Sequence, residues 1–212
     1  MKGSVAAQIA AWIQPTLPAD PPVPEHIWAQ LAAYLELLGR WNQRMNLTAA
    51  RNAQEMAQVH LAECLRCAQL LPPGIQTLLD FGSGAGLPGV PIQLMRPEIA
   101  VTLAESQSKK AMFLREAVRV LGMEQATVYA GRVEAMAIAQ RFDGVTLRAV
   151  DQMDKALPAA AERVADNGWC AVLTTETQIE AVKKAVTGFA WKDAMAMMGS
   201  VQRVVLIGQK SS

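Results

Sequence analysis

Apolar residues in the first third of the chain recur at spacings of three and four. The clearest run comprises Ile27, Leu31, Tyr34, Leu35, Leu38 and Trp41. This period gives a helix one hydrophobic face. A proline-rich connector, LPADPPVP at 17–24, precedes that helix. Asn52 followed by Glu55 resembles a helix-capping box and predicts a second helix that runs to about Leu71. We therefore predict that residues 1–71 are helical.

From residue 72 onward the pattern changes to short apolar runs that are rich in β-branched residues. These runs are TLLDF (77–81), AVTLAE (100–105), ATVYA (126–130), DGVTLR (143–148), WCAVLTT (169–175) and QRVVLIG (202–208). Helical stretches separate most of them, which predicts βαβ units around a parallel sheet. We predict an α/β fold, with a doubly wound Rossmann-like sheet at 72–212 and a helical N-terminal extension at 1–71. In such sheets, ligands bind at the carboxyl ends of the strands.

Residues 80–89, DFGSGAGLPG, satisfy two cofactor patterns. Gly84, Gly86 and Gly89 spell G-x-G-x-x-G, with Glu105 about twenty residues later, as in dinucleotide-binding sheets. Asp80, Gly82, Gly84 and Gly86 also spell D-x-G-x-G-x-G, the arrangement of S-adenosylmethionine-dependent methyltransferases. The glycines could also merely shape a tight turn.

Electrostatics favours the second cofactor. A pyrophosphate would lie close to the Asp80 carboxylate, which would repel it. S-adenosylmethionine instead carries an ammonium and a sulfonium beside one carboxylate. We predict that Asp80 attracts the cationic part, that backbone N–H groups of the loop bind the cofactor's carboxylate, and that Glu105 accepts the ribose hydroxyls. Glu105 would suit a dinucleotide equally well.

Longer stretches of the chain carry a specific resemblance. They are WNQRMNLTA (41–49), LLDFGSGAGLPGVPIQLMRPE (78–98), AESQSKKAMFLRE (104–116), AGRVE (130–134) and FDGVTLRAV (142–150). From about residue 25 to its end, the chain resembles the bacterial small-subunit (16S) ribosomal RNA guanine-N7 methyltransferases, also called glucose-inhibited division protein B. The W-N-x-x-x-N-L-T and G-L-P-G-x-P stretches are more distinctive than the glycines.

The resemblance implies a site and a reaction. The cofactor would be S-adenosylmethionine, and the methyl acceptor would be guanine N7 in 16S ribosomal RNA or the small ribosomal subunit. The backbone of Gly82 and Leu87 would contact the cofactor, Val133 and Glu134 would lie beside its adenine, and Arg148 would lie at the active site. Two stretches depart from the family: HLAEC (60–64) replaces the usual H-x-L-D-S, and LTT (173–175) replaces a lysine-glycine pair.

Guanine N7 has a free lone pair and no proton to remove, so we expect alignment of the reactants and no general base. Arg148 is our candidate at the reaction centre. Its planar donors could orient the purine or a neighbouring phosphate, although a salt bridge to a helix, such as the one that carries Asp151, is an open alternative.

Basic residues predict a local cationic rim for RNA phosphates. They are Lys109, Lys110, Arg115, Arg119 and Arg132, together with Arg148. A solvated helix face is the alternative for the residues between 109 and 119. The net charge of +1 gives no global field that would attract nucleic acid.

Composition sets the remaining limits. The chain has 51% hydrophobic and 18% charged residues, and polar residues or prolines interrupt every apolar run before it reaches membrane-spanning length. Three cysteines favour a reducing compartment. Cys64 and Cys67 form a lone C-x-x-C that fits buried thiols better than a zinc site. We expect a cytoplasmic monomer that binds neither membrane nor metal. A small-molecule methyltransferase, an NAD-dependent reductase and a non-catalytic RNA-binding domain remain alternatives.

Overall fold

The computed structural model describes residues 4–50, 52–148, 153–197 and 202–211. The chain before the sheet is helical, as predicted. The Asn52 side chain accepts a hydrogen bond from the Glu55 N–H at 2.8 Å, which confirms the predicted cap. The helices are α1 (Val5–Ile13), α2 (Ile27–Asn42) and α3 (Ala53–Glu55), which continues through a π-helical stretch (Met56–Leu61) into α4 (Ala62–Leu70).

Strands and helices then alternate. All six predicted strands are present, and two short strands that we did not predict lie near the C-terminus. The elements are β1 (Thr77–Phe81), α5 (Gly89–Met95), β2 (Ala100–Glu105), α6 (Ser108–Leu121), β3 (Ala126–Ala130), β4 (Phe142–Arg148), α7 (Met153–Glu162), β5 (Val164–Thr175), α8 (Ile179–Ala185), β6 (Phe189–Trp191), β7 (Met195–Ala196) and β8 (Arg203–Lys210).

The strands form one sheet in the order β3-β2-β1-β4-β5-β8-β6, and β7 pairs with β8. Strands β1 to β5 are parallel, whereas β8 runs antiparallel to its neighbours β5, β6 and β7. The chain winds outward from β1 to β3 and then returns to place β4 on the other side of β1. The predicted doubly wound sheet is therefore confirmed, and its topological switch point lies between β1 and β4.

Each face of the sheet has its own hydrophobic core. Successive residues of a strand point to opposite faces, so Leu78 joins the cluster under α1, α2, α4, α5 and α6, while Leu79 joins the cluster under α7 and α8. The first cluster contains Trp28 of α2 and Leu103 of β2. Because the N-terminal helices and the sheet share this core, the boundary at residue 71 as a division between folding units stays a prediction.

Buried side chains settle one further expectation. Cys64, Cys67 and Cys170 are buried free thiols, as predicted for the first two. Trp28 is fully within the core, while Trp41 is partly buried and packs edge-on against Phe113. Across the described residues, no helix combines the length and apolar character that a membrane span requires. In that same part of the chain, His, Cys, Asp and Glu side chains nowhere form a group able to hold a metal ion.

Candidate cofactor and substrate site

A cavity of about 590 Å³ opens at the switch point. Strand β1 ends at Phe81, which pairs with Leu147 of β4, and Arg148 follows as the last residue of β4. The cavity walls come from the segment after β1, the end of β2, the turn after β3, the end of β4 and the start of α7. Its volume is within the range of cofactor and ligand sites. The location is where the sequence predicted a ligand.

The glycine loop, residues 82–88, forms one wall. Gly82, Gly84 and Gly86 have φ angles of 70°, 56° and 87°, a region where a side chain is strained. Gly82, Gly84 and Leu87 line the cavity, whereas Gly86 does not. A Cβ at Gly86 would lie 2.7 Å from Val90 Cγ2, so this glycine allows α5 to pack closely against the loop. The predicted contact between Gly86 and a cofactor stays a prediction.

The distinctive W-N-x-x-x-N-L-T stretch builds a second part of the wall. Asn42 Oδ1 accepts hydrogen bonds from the N–H groups of Leu47 (2.8 Å) and Thr48 (3.0 Å), and both of these residues line the cavity. Trp41 Nε1 donates to Glu116 Oε2 at 2.9 Å and so fixes the end of α2 on α6. This stretch stood out in the sequence by resemblance to a family, but its place in the cavity wall was not predicted.

Asp80 lies behind the glycine loop and is only 1% exposed. Its Oδ2 accepts the Gly89 N–H at 3.1 Å and its Oδ1 accepts the Thr146 hydroxyl at 3.0 Å. Burial raises the pKa of Asp80 to about 6, despite these hydrogen bonds. Asp80 does not line the cavity. The structure therefore makes it a support for the loop and the start of α5, and the direct contact with a cofactor that we expected stays a prediction that this placement does not favour.

Glu105, the last residue of β2, lines the cavity and is largely buried. Its Oε2 accepts the Gly84 N–H at 3.0 Å and its Oε1 accepts the Gln107 N–H at 2.7 Å. These two bonds fix the carboxylate in position, and each oxygen retains a lone pair for a ligand hydroxyl. We expected backbone N–H groups of the loop to bind a cofactor carboxylate; that of Gly84 donates to Glu105 instead, and the expectation stays a prediction for the other loop N–H groups.

Val133 and Glu134 lie in a short 3₁₀ turn and line the cavity opposite the glycine loop. Buried Arg163 holds this turn. Its Nη2 donates to the Val133 carbonyl at 3.0 Å, and its Nη1 donates to the Ala137 carbonyl at 2.8 Å. Arg163 was not found from the sequence because it lies thirty residues away in no recognisable motif.

Arg148 lines the cavity within a cluster of charged side chains. Its Nε donates to Glu63 Oε2 at 2.9 Å, and its Nη2 lies against His60 Nδ1. Arg203 of β8 donates to the same carboxylate at 2.7 and 2.9 Å. We call these four residues, His60, Glu63, Arg148 and Arg203, the Arg148 cluster. The salt bridge to a helix that we considered for Arg148 is therefore present, with Glu63 of α4 as its partner, while Asp151 lies outside the described residues.

The cationic residues divide into two groups. Lys110 and Arg132 line the cavity, whereas Lys109 and Arg115 are exposed but do not. Lys155 of α7 also lines the cavity, a position that the sequence pattern did not single out. Arg119 is likewise exposed and outside the lining, so the structure brings three of the six residues of the predicted rim, Lys110, Arg132 and Arg148, to the cavity. RNA contact for all six stays a prediction.

The family model described as rRNA small subunit methyltransferase G matches residues 27–203. The chain belongs to this family. The protein of that name from Stenotrophomonas maltophilia is 47% identical over 123 residues, which are 58% of this chain and 57% of the relative. The one from Neisseria meningitidis is 40% identical over 146 residues, 68% of this chain and 69% of the relative. The match thus spans a little over half of the first relative's length.

Solved structures show the fold. The mitomycin 7-O-methyltransferase MmcR superposes with a TM-score of 0.62 at 15% identity and covers 97% of this chain and 67% of its own. The M. jannaschii TYW2 in complex with AdoMet gives a TM-score of 0.58 at 16% identity, covering 71% and 74%. At these identities the likeness shows a shared fold.

Family membership gives the departure at HLAEC a physical reading. The usual pattern of the family is H-x-L-D-S, and this chain keeps His60 and replaces the aspartate by Glu63. The carboxylate is therefore retained, and it is this carboxylate that binds Arg148 and Arg203. At this acidic position the chain changes side-chain length and keeps the charge, whereas Ala62 and Cys64 replace the leucine and the serine of the pattern. The retained negative charge is the signal that could have linked the stretch to Arg148.

Proposed function

We propose that the protein transfers the methyl group of S-adenosylmethionine to N7 of a guanine in 16S ribosomal RNA. Membership of the rRNA small subunit methyltransferase G family carries this proposal. It is supported by a cavity at the switch point that brings together the glycine loop, Glu105 and Arg148. A pyrophosphate-binding reductase has no comparable support.

The residues of the cavity fit S-adenosylmethionine. Glu105 offers fixed carboxylate oxygens to ribose hydroxyls, and Val133 and Leu87 offer apolar walls to an adenine. Lys110 of α6 also lines the cavity, where its charge suits an anionic group. Asp80 contributes indirectly by holding the loop at Gly89.

The bound cofactor would supply an electrophilic methyl group on a cationic sulfur. Transfer to N7 moves the positive charge from sulfur to the purine ring and releases no proton. The chain therefore needs to align two molecules and exclude water, and it needs no base. His60 is unsuited to be one, since burial and the neighbouring arginines lower its pKa to about 4 and its Nδ1 is engaged by Arg148.

The proposed substrate side of the cavity is cationic. Arg132, Arg148 and Lys155 all line the cavity. Phosphates flanking a target guanine would contact these cationic side chains. Arg148 would orient the purine or a phosphate through its planar donors. We further propose that the protein acts as a monomer in the cytoplasm, where the small ribosomal subunit is found.

The test uses tritiated S-adenosylmethionine and small ribosomal subunits, or their naked RNA, from cells that lack this modification. We expect label in 16S RNA and strand scission at one guanine after chemistry selective for N7-methylguanosine. Label at another base, or none in either substrate, would contradict the proposal. S-adenosylhomocysteine should raise the melting temperature while NADH should not, because only a ligand of the native state stabilises it.

A further inference from the structure

Contacts with other side chains fix the orientation of the Arg148 guanidinium. Its side chain is 10% exposed at the cavity, and two of its nitrogens are occupied from behind. Nε donates to Glu63 Oε2 at 2.9 Å, and Nη2 donates to His60 Nδ1. Since arginine can only donate, His60 must present Nδ1 as an acceptor and carry its proton on Nε2. Among the described residues Nη1 has no hydrogen-bond partner, so its donors are available to a molecule in the cavity.

Glu63 links two arginines that are far apart in the chain. It lies on α4, is 1% exposed and pairs with Arg148 of β4, 85 positions away, and with Arg203 of β8, 140 positions away. Both of its oxygens accept hydrogen bonds. Arg203 binds this carboxylate through Nε and Nη2, whereas Arg148 binds it through Nε alone and has His60 against its Nη2. Two fixed contacts on each guanidinium leave it little rotational freedom. With His60 neutral, the cluster retains one net positive charge beside the cavity.

A purely structural role would be to staple α4 to β4 and β8. Buried ion pairs are costly to desolvate, and apolar residues of similar volume usually stabilise as well or better. A staple would therefore need neither three charged side chains nor a neutral histidine against the guanidinium of a cavity residue. The arrangement is better explained by the orientation that it imposes on Arg148.

We propose that Glu63 and His60 are positioning residues that turn the Nη1 edge of Arg148 toward the methyl acceptor. This inference rests on the proposed function, because the proposed function supplies the methyl acceptor that Arg148 would contact. Without Glu63 the guanidinium would rotate and the acceptor would lose its alignment with the methyl group. Such a misalignment lowers turnover more than it lowers cofactor affinity.

The test compares variants by kcat, by KM for S-adenosylmethionine and by melting temperature. Glu63→Gln should lower kcat about tenfold or more, with KM changed less than about threefold. Glu63→Asp, which keeps the charge, should restore most of the lost kcat. His60→Ala should lower kcat by a smaller factor and His60→Asn, whose amide oxygen can accept the same hydrogen bond, should restore it.

Leu65→Ala is the matched control. Leu65 lies two residues further along α4, is fully buried and makes no polar side-chain contact, so this variant should lose melting temperature and keep the kcat of the folded fraction. If Glu63→Gln does not fold, the comparison of His60→Ala with His60→Asn still tests the inference, because His60 is only half-buried. The inference is overturned if Glu63→Gln and His60→Ala lower kcat no more than Leu65→Ala does.

A spectroscopic measurement separates this inference from the proposed function. In the full-length protein with nitrogen-labelled arginine, the Nε–H resonance of Arg148 should be slow to exchange, should shift in Glu63→Gln and should return toward its original position in Glu63→Asp. If the native protein methylates no ribosomal RNA, the proposed function fails while this resonance still reports the positioning. An Arg148 resonance that is unchanged in Glu63→Gln would overturn the inference in either case.

Discussion

The glycine loop and Arg148, which its cluster holds in place, line the same cavity, but the loop and the cluster are encoded in different ways. The loop is made by backbone conformation within one continuous segment, where three glycines adopt positive φ angles. The cluster is made by side chains from α4, β4, β8 and the π-helical stretch before α4, which meet only in the folded chain. The conformation of the loop therefore depends on the space available beside its backbone, whereas the geometry of the cluster depends on the pairing of opposite charges.

The largest expected effect is on the loop, at the start of α5. A Cβ at Gly89 would lie 2.4 Å from Leu103 Cδ2 and 2.7 Å from Asp80 Oδ2. Gly89→Ala should therefore lower the free energy of unfolding by about 3 kcal/mol and weaken S-adenosylhomocysteine binding, because the loop must move. Urea unfolding and calorimetric titration measure the two quantities.

Gly39→Ala is the control for that substitution. Gly39 lies inside α2 with open space where the Cβ would be, so the change should stabilise the helix by about 1 kcal/mol or less. Equal stabilities for the two alanine variants would show that the loop is not limited by space.

The second effect concerns the buried carboxylate under the loop. The pKa of Asp80 is raised to about 6 in the folded protein, above its ordinary value of 3.8. Its contribution to stability is therefore full below pH 4 and is lost as the pH rises through 6. The loss approaches about 3 kcal/mol, because a difference of one between the folded and unfolded pKa values corresponds to about 1.4 kcal/mol. Asp80→Asn cannot ionise, so its unfolding free energy should lack this dependence. Parallel curves for the two proteins between pH 4 and pH 7 would contradict the assignment.

Much of the loop wall was predictable because local sequence determines it. The spacing of Gly82, Gly84 and Gly86 after an apolar strand predicted a turn that approaches a ligand, and β1 has the predicted bounds. The alternation of strands and helices also predicted the edge of the sheet that carries the site. Local sequence could not predict how deeply Asp80 is buried. Asp80 lies behind the loop, where its oxygens accept hydrogen bonds from Gly89 and Thr146.

The Arg148 cluster was only partly predictable for the same reason. Arg148 was singled out by resemblance, but its partners lie on distant elements, and pairing between distant side chains leaves no periodicity in a single sequence. Strands β6 and β7 escaped prediction because runs of three and two residues carry no period. Lys155 was missed because a single lysine on a helix is ordinarily a solvated side chain.

A third effect tests whether the loop is purely local. The Tyr34 hydroxyl donates to the Ala85 carbonyl at 2.5 Å, so α2 also supports the loop. Tyr34→Phe leaves that buried carbonyl without its donor and should cost about 1 to 2 kcal/mol of unfolding free energy. Tyr129→Phe removes the same hydroxyl from the partly buried strand β3 and should be close to neutral. If both variants match the native protein in urea unfolding, the loop needs no support from α2.

The smallest effect concerns how far the charged wall extends over the surface. Replacing Lys110 and Arg132, which line the cavity, by glutamine should flatten the dependence of RNA affinity on salt by about 0.7 to 0.9 in logarithmic slope per lost contact. Lys183 and Lys184 of α8 lie outside the cavity lining, so their double glutamine variant removes the same charge from another face. If the two variants show the same salt dependence of RNA affinity, the charged surface that contacts RNA is limited to Arg148 and its partners.

The burial of every cysteine has a practical consequence. Cys64, Cys67 and Cys170 are all enclosed in the core, and burial raises the pKa of each thiol, that of Cys170 to about 12. Alkylating reagents attack thiolates, so the native protein should be inert to maleimide dyes. A single cysteine introduced at Thr48, on the rim of the cavity, would then be the sole labelling point. A fluorophore attached there would report the arrival of RNA without removal of any native residue from the core.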